Sequence, residues 1–264
     1  MADAGAHAPP APALSPLRAY RLTVAYDGTD FHGWQVQPDV LSVQGTLLQA
    51  ARPLFQGEVR LVGASRTDAG VHALRQVVSV QGEGTLPAVS LQAALNAALP
   101  RTVRVAAAAE VEPGFDARRS ALGKRYLYLI DNAPVPSPLR LRWAWHVSRP
   151  LDLAAMRAAL APLRGRHDFS AFCAAPGREA EPVCRVRAVH VLARKSLVAI
   201  LVSADRFLHH MVRNVVGSAV EVGRGAEPPA WLAEVLRGRD RRRAGPTAPA
   251  RGLLLLRVRY TERC

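Results

Sequence analysis

Apolar positions recur along the chain with two periods that take turns. Arg21 to Tyr26 (RLTVAY) alternates every second residue, the mark of a half-buried strand, and Asp27-Gly28 closes it as a turn. From Ser42, a residue suited to capping a helix, the spacing widens to three and four. Val43, Leu47, Ala50, Ala51 and Leu54 then share one face, and Pro53 weakens its end. Val59 to Ala64 and Gln76 to Gln81 read as strands flanking a polar loop. Ser90 to Leu99 fits a second capped helix, Val103 to Val111 another strand, and Arg125 to Ile130 (RYLYLI) alternates strongly. The second half repeats this order. Trp143 to Val147 reads as a strand, Leu151 to Leu163 as an amphipathic helix, and Val186 to Ala193 with Leu197 to Ala204 as a hairpin. Phe207 to Val222 is a long helix capped by Gly223, Pro229 to Arg237 a short one, and Leu253 to Tyr260 the last strand.

Two βαββαβ-like halves imply an α+β architecture, with a mostly antiparallel sheet, helices on one face and the other face open to a large ligand. The Pro-rich stretch Ala133 to Pro138 is the best boundary, giving halves at 18–132 and 139–264. Residues 1–17 lack a basic start and an unbroken apolar stretch, and four prolines interrupt them, so they read as a disordered Ala/Pro tail rather than a signal peptide.

With 49% apolar residues over 264 positions, the chain can bury a sizeable core. Its longest apolar runs fall far short of a membrane span, and a cytoplasmic location is expected. Cys173, Cys184 and Cys264 cannot all pair and form no CxxC, so neither a disulfide framework nor a cysteine zinc site is supported. Charge is more informative. The net charge is +14, and 33 of the 35 cations are arginine. Residues 1–132 carry 12 cations and 11 acids, whereas 133–264 carry 23 and 10. Such one-sidedness points to a polyphosphate partner rather than to the alternative, a generic solubilising charge.

Three stretches could carry chemistry. Gly63 to Ala73 (GASRTDAGVHA) places Asp68 and Arg66 among small residues in a loop between strands, as for a carboxylate presented to a substrate; an Asx-turn is the alternative. In Phe207 to Gly217 (FLHHMVRNVVG), Arg213 lies among apolar residues and needs a carboxylate partner, for which Asp68 is the candidate; otherwise it snorkels outward. His209 and His210 are adjacent, which on a helix turns them apart, and no other cluster has ligand spacing. No metal is therefore expected. In Lys124 to Ile130, alternation puts Tyr126 and Tyr128 on one face beside cations, as a base-stacking platform or simply a core strand. Neither GxxxxGK[ST] nor GxGxxG is present, which argues against nucleotide cofactors.

Taken in order, these stretches, with Tyr26 to Thr29, Phe31 to Gln35, Ser42 to Gln44 and Ala250 to Leu253, resemble the tRNA pseudouridine synthase A family from about Arg18 to Tyr260. The resemblance implies two ferredoxin-like halves sharing a continuous sheet with a positively charged RNA-binding cleft, and a homodimer. It implies conversion of uridine to pseudouridine in the anticodon arm of tRNA, at positions 38, 39 and 40, without a cofactor. Asp68 matches the family's nucleophile, Arg66 and Arg213 its associated arginines, and Tyr126 the tyrosine that stacks on uracil. Three residues depart from the pattern: Ser65 replaces a frequent glycine, Val36 a frequent arginine and His209 a frequent tyrosine. Ser65 is expected to shift the catalytic loop slightly, and Val36 to remove a phosphate contact. Two other readings are open: an aspartic protease, since Asp68-Ala69-Gly70 echoes D-[ST]-G, and a non-catalytic RNA-binding protein. The first leaves the basic second half unexplained, and the second leaves unexplained why Arg66, Asp68, Tyr126 and Arg213 occur together.

Overall fold

The computed structural model describes residues 16–174 and 181–260, so Cys264 and nearly all of the expected tail lie outside the described residues. The first half builds β1 (Leu17–Tyr26), α1 (Val43–Ala51), β2 (Gln56–Gly63), β3 (His72–Glu83), α2 (Ala88–Ala98) and β4 (Val103–Glu110). The second builds β5 (Gly123–Asp131), a two-residue β6 (Trp145–His146), α3 (Leu153–Leu160), β7 (Gly165–Asp168), β8 (Val183–Arg194) and β9 (Leu197–Ala204). It closes with α4 (Met211–Gly223), α5 (Trp231–Gly238) and β10 (Leu253–Arg259).

All ten strands join one sheet in the order β4-β1-β3-β10-β5-β9-β8-β7, with β2 on β3 and β6 on β5. Every pairing is antiparallel except β3 with β10 and β5 with β6. Two four-stranded units share one order: β4-β1-β3-β2 in the first half and β10-β5-β9-β8 in the second, the ferredoxin-like arrangement. The expected α+β fold with a continuous, mostly antiparallel sheet is therefore present. Strand alternation decides its two faces. Tyr20, Leu22 and Val24 on β1, Tyr126, Tyr128 and Ile130 on β5, and Val198, Ile200 and Val202 on β9 are all buried. Leu47, Leu91, Leu95, Met156 and Leu160 from the helices belong to the same core cluster.

The seam between the halves positions everything that follows. Near its start β3 pairs with β10 over only two residues, His72 with Leu254 and Ala73 with Leu255; farther along, Val78 to Gln81 pair with β2. Loop 64–71, which joins β2 to β3, therefore emerges where the C-terminal strand is wedged between the halves.

Several element ends differ from the sequence reading. The long helix starts at Met211 rather than Phe207, because His210 adopts a left-handed conformation with φ 59°. It is closed by Gly225 (φ 74°) rather than Gly223. There Gly225 N–H reaches Val222 O at 2.9 Å and Ala226 N–H reaches Glu221 O at 3.0 Å, the paired bonds of a left-handed helix stop. The third helix starts at Leu153, since Asp152 caps it by accepting from Ala154 and Ala155 N–H, and the strand expected at Trp143–Val147 shrinks to Trp145–His146.

α4 is buried on almost every side, because segment 244–248 lies directly on it. A Cβ at Gly217 would fall 1.7 Å from Pro246 O, so only glycine admits that approach. Gly217→Ala should lower unfolding stability by about 2 kcal/mol or more, read from urea denaturation. An unchanged midpoint would contradict this packing.

Candidate active site

Loop 64–71 is pinned residue by residue from the first half. Fully buried Gln76 grips Ser65 at both backbone groups: its Oε1 accepts from Ser65 N–H at 3.2 Å, and its Nε2 donates to Ser65 O at 2.7 Å. Thr67 Oγ1 shares a 2.7 Å hydrogen bond with the Tyr26 hydroxyl, and Thr67 O accepts from Trp34 N–H. Gly28 lets the chain pass so close that a Cβ there would lie 2.0 Å from Val71 O. Below the loop, His72 Nδ1 accepts from Gly28 N–H, which leaves the proton on Nε2 to reach Arg251 O in the second half. Burial lowers the pKa of His72 despite the neighbouring Asp27. Held this way, Asp68 turns its carboxylate to the seam, about one quarter exposed.

The second half brings three groups to that carboxylate. Arg213, on the first turn of α4, donates from Nε to Ala248 O at 2.8 Å and from Nη1 to Asp68 Oδ2 at 3.2 Å. The arginine–aspartate pairing foreseen for these residues is present. His210 Nε2 stands 3.3 Å from Oδ2, and His209 Nε2 stands 3.7 Å from Oδ1. The expectation that these histidines point apart is wrong. It assumed a helix, but the left-handed turn at His210 stacks the rings with centroids 3.9 Å apart, both facing Asp68. The donor atoms of Asp68, His209 and His210 lie within 4.8 Å of one another and could hold a metal ion, which the sequence spacing had argued against. His210 is held below its usual pKa, mainly by burial; Asp68 opposes this, and His209 and Arg213 add to it.

Asp68 sits at the edge of a cavity of about 370 Å³ lined by Arg66, Arg118, Lys124, Tyr126, Phe207 and the two histidines. Tyr126 presents its ring there with Phe207 edge-on at 5.1 Å, and its hydroxyl shares a 2.9 Å hydrogen bond with Ser65 Oγ. Burial pushes its pKa up to about 12. Tyr128 does not extend the platform: it is fully buried, its hydroxyl donates to Pro249 O, and its ring lies against Gly252. Arg66 lines the cavity but, among the described residues, makes no hydrogen bond or ion pair with Asp68. Burial, with Arg118 and Arg206 nearby, pushes the Lys124 ammonium down to about 8.

The family model described as tRNA pseudouridine synthase matches residues 22–118 and 159–261. The chain belongs to the tRNA pseudouridine synthase family. Among curated relatives, the tRNA pseudouridine synthase A of Myxococcus xanthus is 45% identical over 243 residues, covering 92% of each chain. That of Moorella thermoacetica is 44% identical over 244 residues, covering 91% of this chain and 98% of its own. That of Pelobacter propionicus is 43% identical, covering 92% and 100%. The protein is thus an isomerase acting on uridine in tRNA.

Within this pseudouridine synthase, sequence reasoning overlooked the approach of His209 and His210 to Asp68, the grip of Gln76 and the contact of Ser65 with Tyr126. Gln76 left a trace at most, as one of several polar residues (Gln76, Ser79, Gln81) in the strand run QVVSVQ. Tyr26, Tyr126 and Tyr128 all have raised pKa values through burial. Between pH 10 and 12 an unfolded tyrosine releases its proton while Tyr126 keeps it. Stability should therefore be full below pH 10 and fall above it, by up to about 1.4 kcal/mol per pH unit for each such phenol. Urea midpoints between pH 8 and 11 test this, and Tyr126→Phe should flatten the decline.

Proposed function

We propose that this synthase isomerises uridine to pseudouridine in the anticodon arm of tRNA, at positions 38, 39 and 40, with Asp68 as nucleophile and no cofactor or metal. The observation that carries this reading is one carboxylate, held from both halves of the fold, at the edge of a cavity that also presents Tyr126. The reaction breaks N1–C1′, turns the base and joins C5 to C1′; N1 gains a proton and C5 loses one. Nothing is oxidised or hydrolysed, so a carboxylate and a protected cavity are sufficient in principle.

The two oxygens of Asp68 differ in a useful way. Oδ2 is engaged by Arg213 and His210, whereas Oδ1 has, among the described residues, only the His209 ring nitrogen as an ion-pair partner, at 3.7 Å. Oδ1 is therefore the oxygen that faces substrate, attacking either the ribose or the base ring, and Arg213 fixes the direction of attack. The target base has to leave its stack to reach the cavity, where the Tyr126 ring stacks on it. Arg66, exposed at the rim and without a carboxylate partner among the described residues, is placed to meet phosphate or fill the vacated stack. The remaining parts of the reading are a homodimer that shares the tRNA and a cytoplasmic location. Among the described residues, no helix is long and apolar enough to cross a membrane.

Asp68→Asn should abolish tritium release from tRNA carrying [5-³H]uridine while leaving tRNA affinity within a few fold. Equal release from both proteins would sink the nucleophile assignment, and no release from the wild type with binding intact would favour a non-catalytic RNA-binding protein. Activity should persist in EDTA; loss that zinc restores would assign a metal to Asp68, His209 and His210. Affinity for tRNA should fall steeply with salt, with a logarithmic slope of about −0.9 for each duplex phosphate neutralised.

A further inference from the structure

We infer that Ser65 is a positioning residue for Tyr126, tying the stacking ring to the catalytic loop so that ring and nucleophile are set as one rigid unit. The inference rests on the reading of Tyr126 as the residue that stacks on the base. Ser65 stands three residues before Asp68, and both its backbone groups are clamped by Gln76, which is wholly buried. Its side chain therefore has little freedom, and its hydroxyl meets the Tyr126 hydroxyl at 2.9 Å. Among the described residues this is the one hydrogen bond that the phenol makes. Ser65 is 8% exposed and Tyr126 6%, so water has poor access to replace it.

The rest of the ring is fixed by apolar neighbours that set no direction for the hydroxyl. Phe207 lies edge-on at one side, and Val202 and Leu255 are its partners on the flanking strands. Among the described residues, the bond to Ser65 is the one hydrogen bond that ties the ring to the loop carrying Asp68. A glycine at 65 would keep the backbone grip of Gln76 but leave the phenol with no partner, at the cost of an unsatisfied buried group or a trapped water. Ser65 thus sets the plane on which the base lies relative to the carboxylate that attacks it.

The test uses the full chain and the tritium-release assay, with Ser65→Ala, Tyr126→Phe, the double variant and Tyr126→Ala. Loss of one neutral hydrogen bond should lower kcat about fivefold in Ser65→Ala, with KM for tRNA within twofold. Tyr126→Phe should lose about as much, and the double variant should lose no more than either single one, because all three remove the same bond. In protein labelled at tyrosine ¹³Cζ, the resonance missing from Tyr126→Phe should move in Ser65→Ala while the others stay. Multiplying losses in the double variant would overturn the inference. So would a Ser65→Ala protein with unchanged kcat, including one that merely melts at a lower temperature. Full activity in Tyr126→Ala would remove the stacking role itself, and the positioning role with it.

Discussion

The hydrogen-bonded ion pair between Asp68 and Arg213 is the contact on which the rest of the site depends. Its members are 145 residues apart and come from different halves, so it exists only when both halves are folded and in register. Each side chain is mostly buried, and each would be costly to leave unpaired there. The pair explains why the fold invests in holding each partner by its backbone. Gln76, Tyr26 and Trp34 fix the loop below Asp68, and Ala248 O fixes the guanidinium of Arg213 from the side away from the carboxylate.

The clasp on Arg213 is itself a consequence of buried polar chemistry in α4. Asn214 donates to Phe172 O and accepts from Arg241 and Thr247, while Ser218 Oγ donates to Asn214 O and accepts from Gly245 N–H. These bonds seat segment 244–248 on the helix, with Gly217 admitting the close approach of Pro246. Ala248 is thereby brought beside Arg213, and the chain runs on through Arg251, which meets His72 under loop 64–71, into β10. One continuous stretch, from residue 244 to β10, orients the arginine, braces the aspartate's loop and closes the seam in the sheet.

How far the sequence could be read follows from which interactions are local. Period-two runs gave the strands of both units, because alternation records the burial of each face directly; their repeated order gave two βαββαβ-like halves, and the family resemblance implied that these are ferredoxin-like. Asp68 and Arg213 could be paired because an arginine among apolar residues demands a partner. Ser42 reads as a cap in the sequence, and its side chain accepts from Gly45 N–H as a cap should. What failed was local backbone geometry set from a distance. His210 turns left-handed with no glycine or asparagine to announce it, so the helix start and the direction of both histidines were misread. The Ser65 contact joins residues 61 positions apart, and no spacing rule reaches that far.

The charge around the cavity completes the logic. Among the described residues that line the cavity and its rim, Asp68 is the one carboxylate beside Arg66, Arg118, Lys124 and Arg213, with two histidines at its side, so the surroundings favour the approach of a polyanion. Lys124 shows how crowded this field is, since burial and its cationic neighbours hold its pKa down. An incoming phosphate chain would relieve that crowding, and the desolvation it brings would strengthen every contact to Asp68. Arg66 and Arg118 are exposed and, among the described residues, have no carboxylate partner, whereas the mostly buried Arg213 needs one. Arg213 already has its anion.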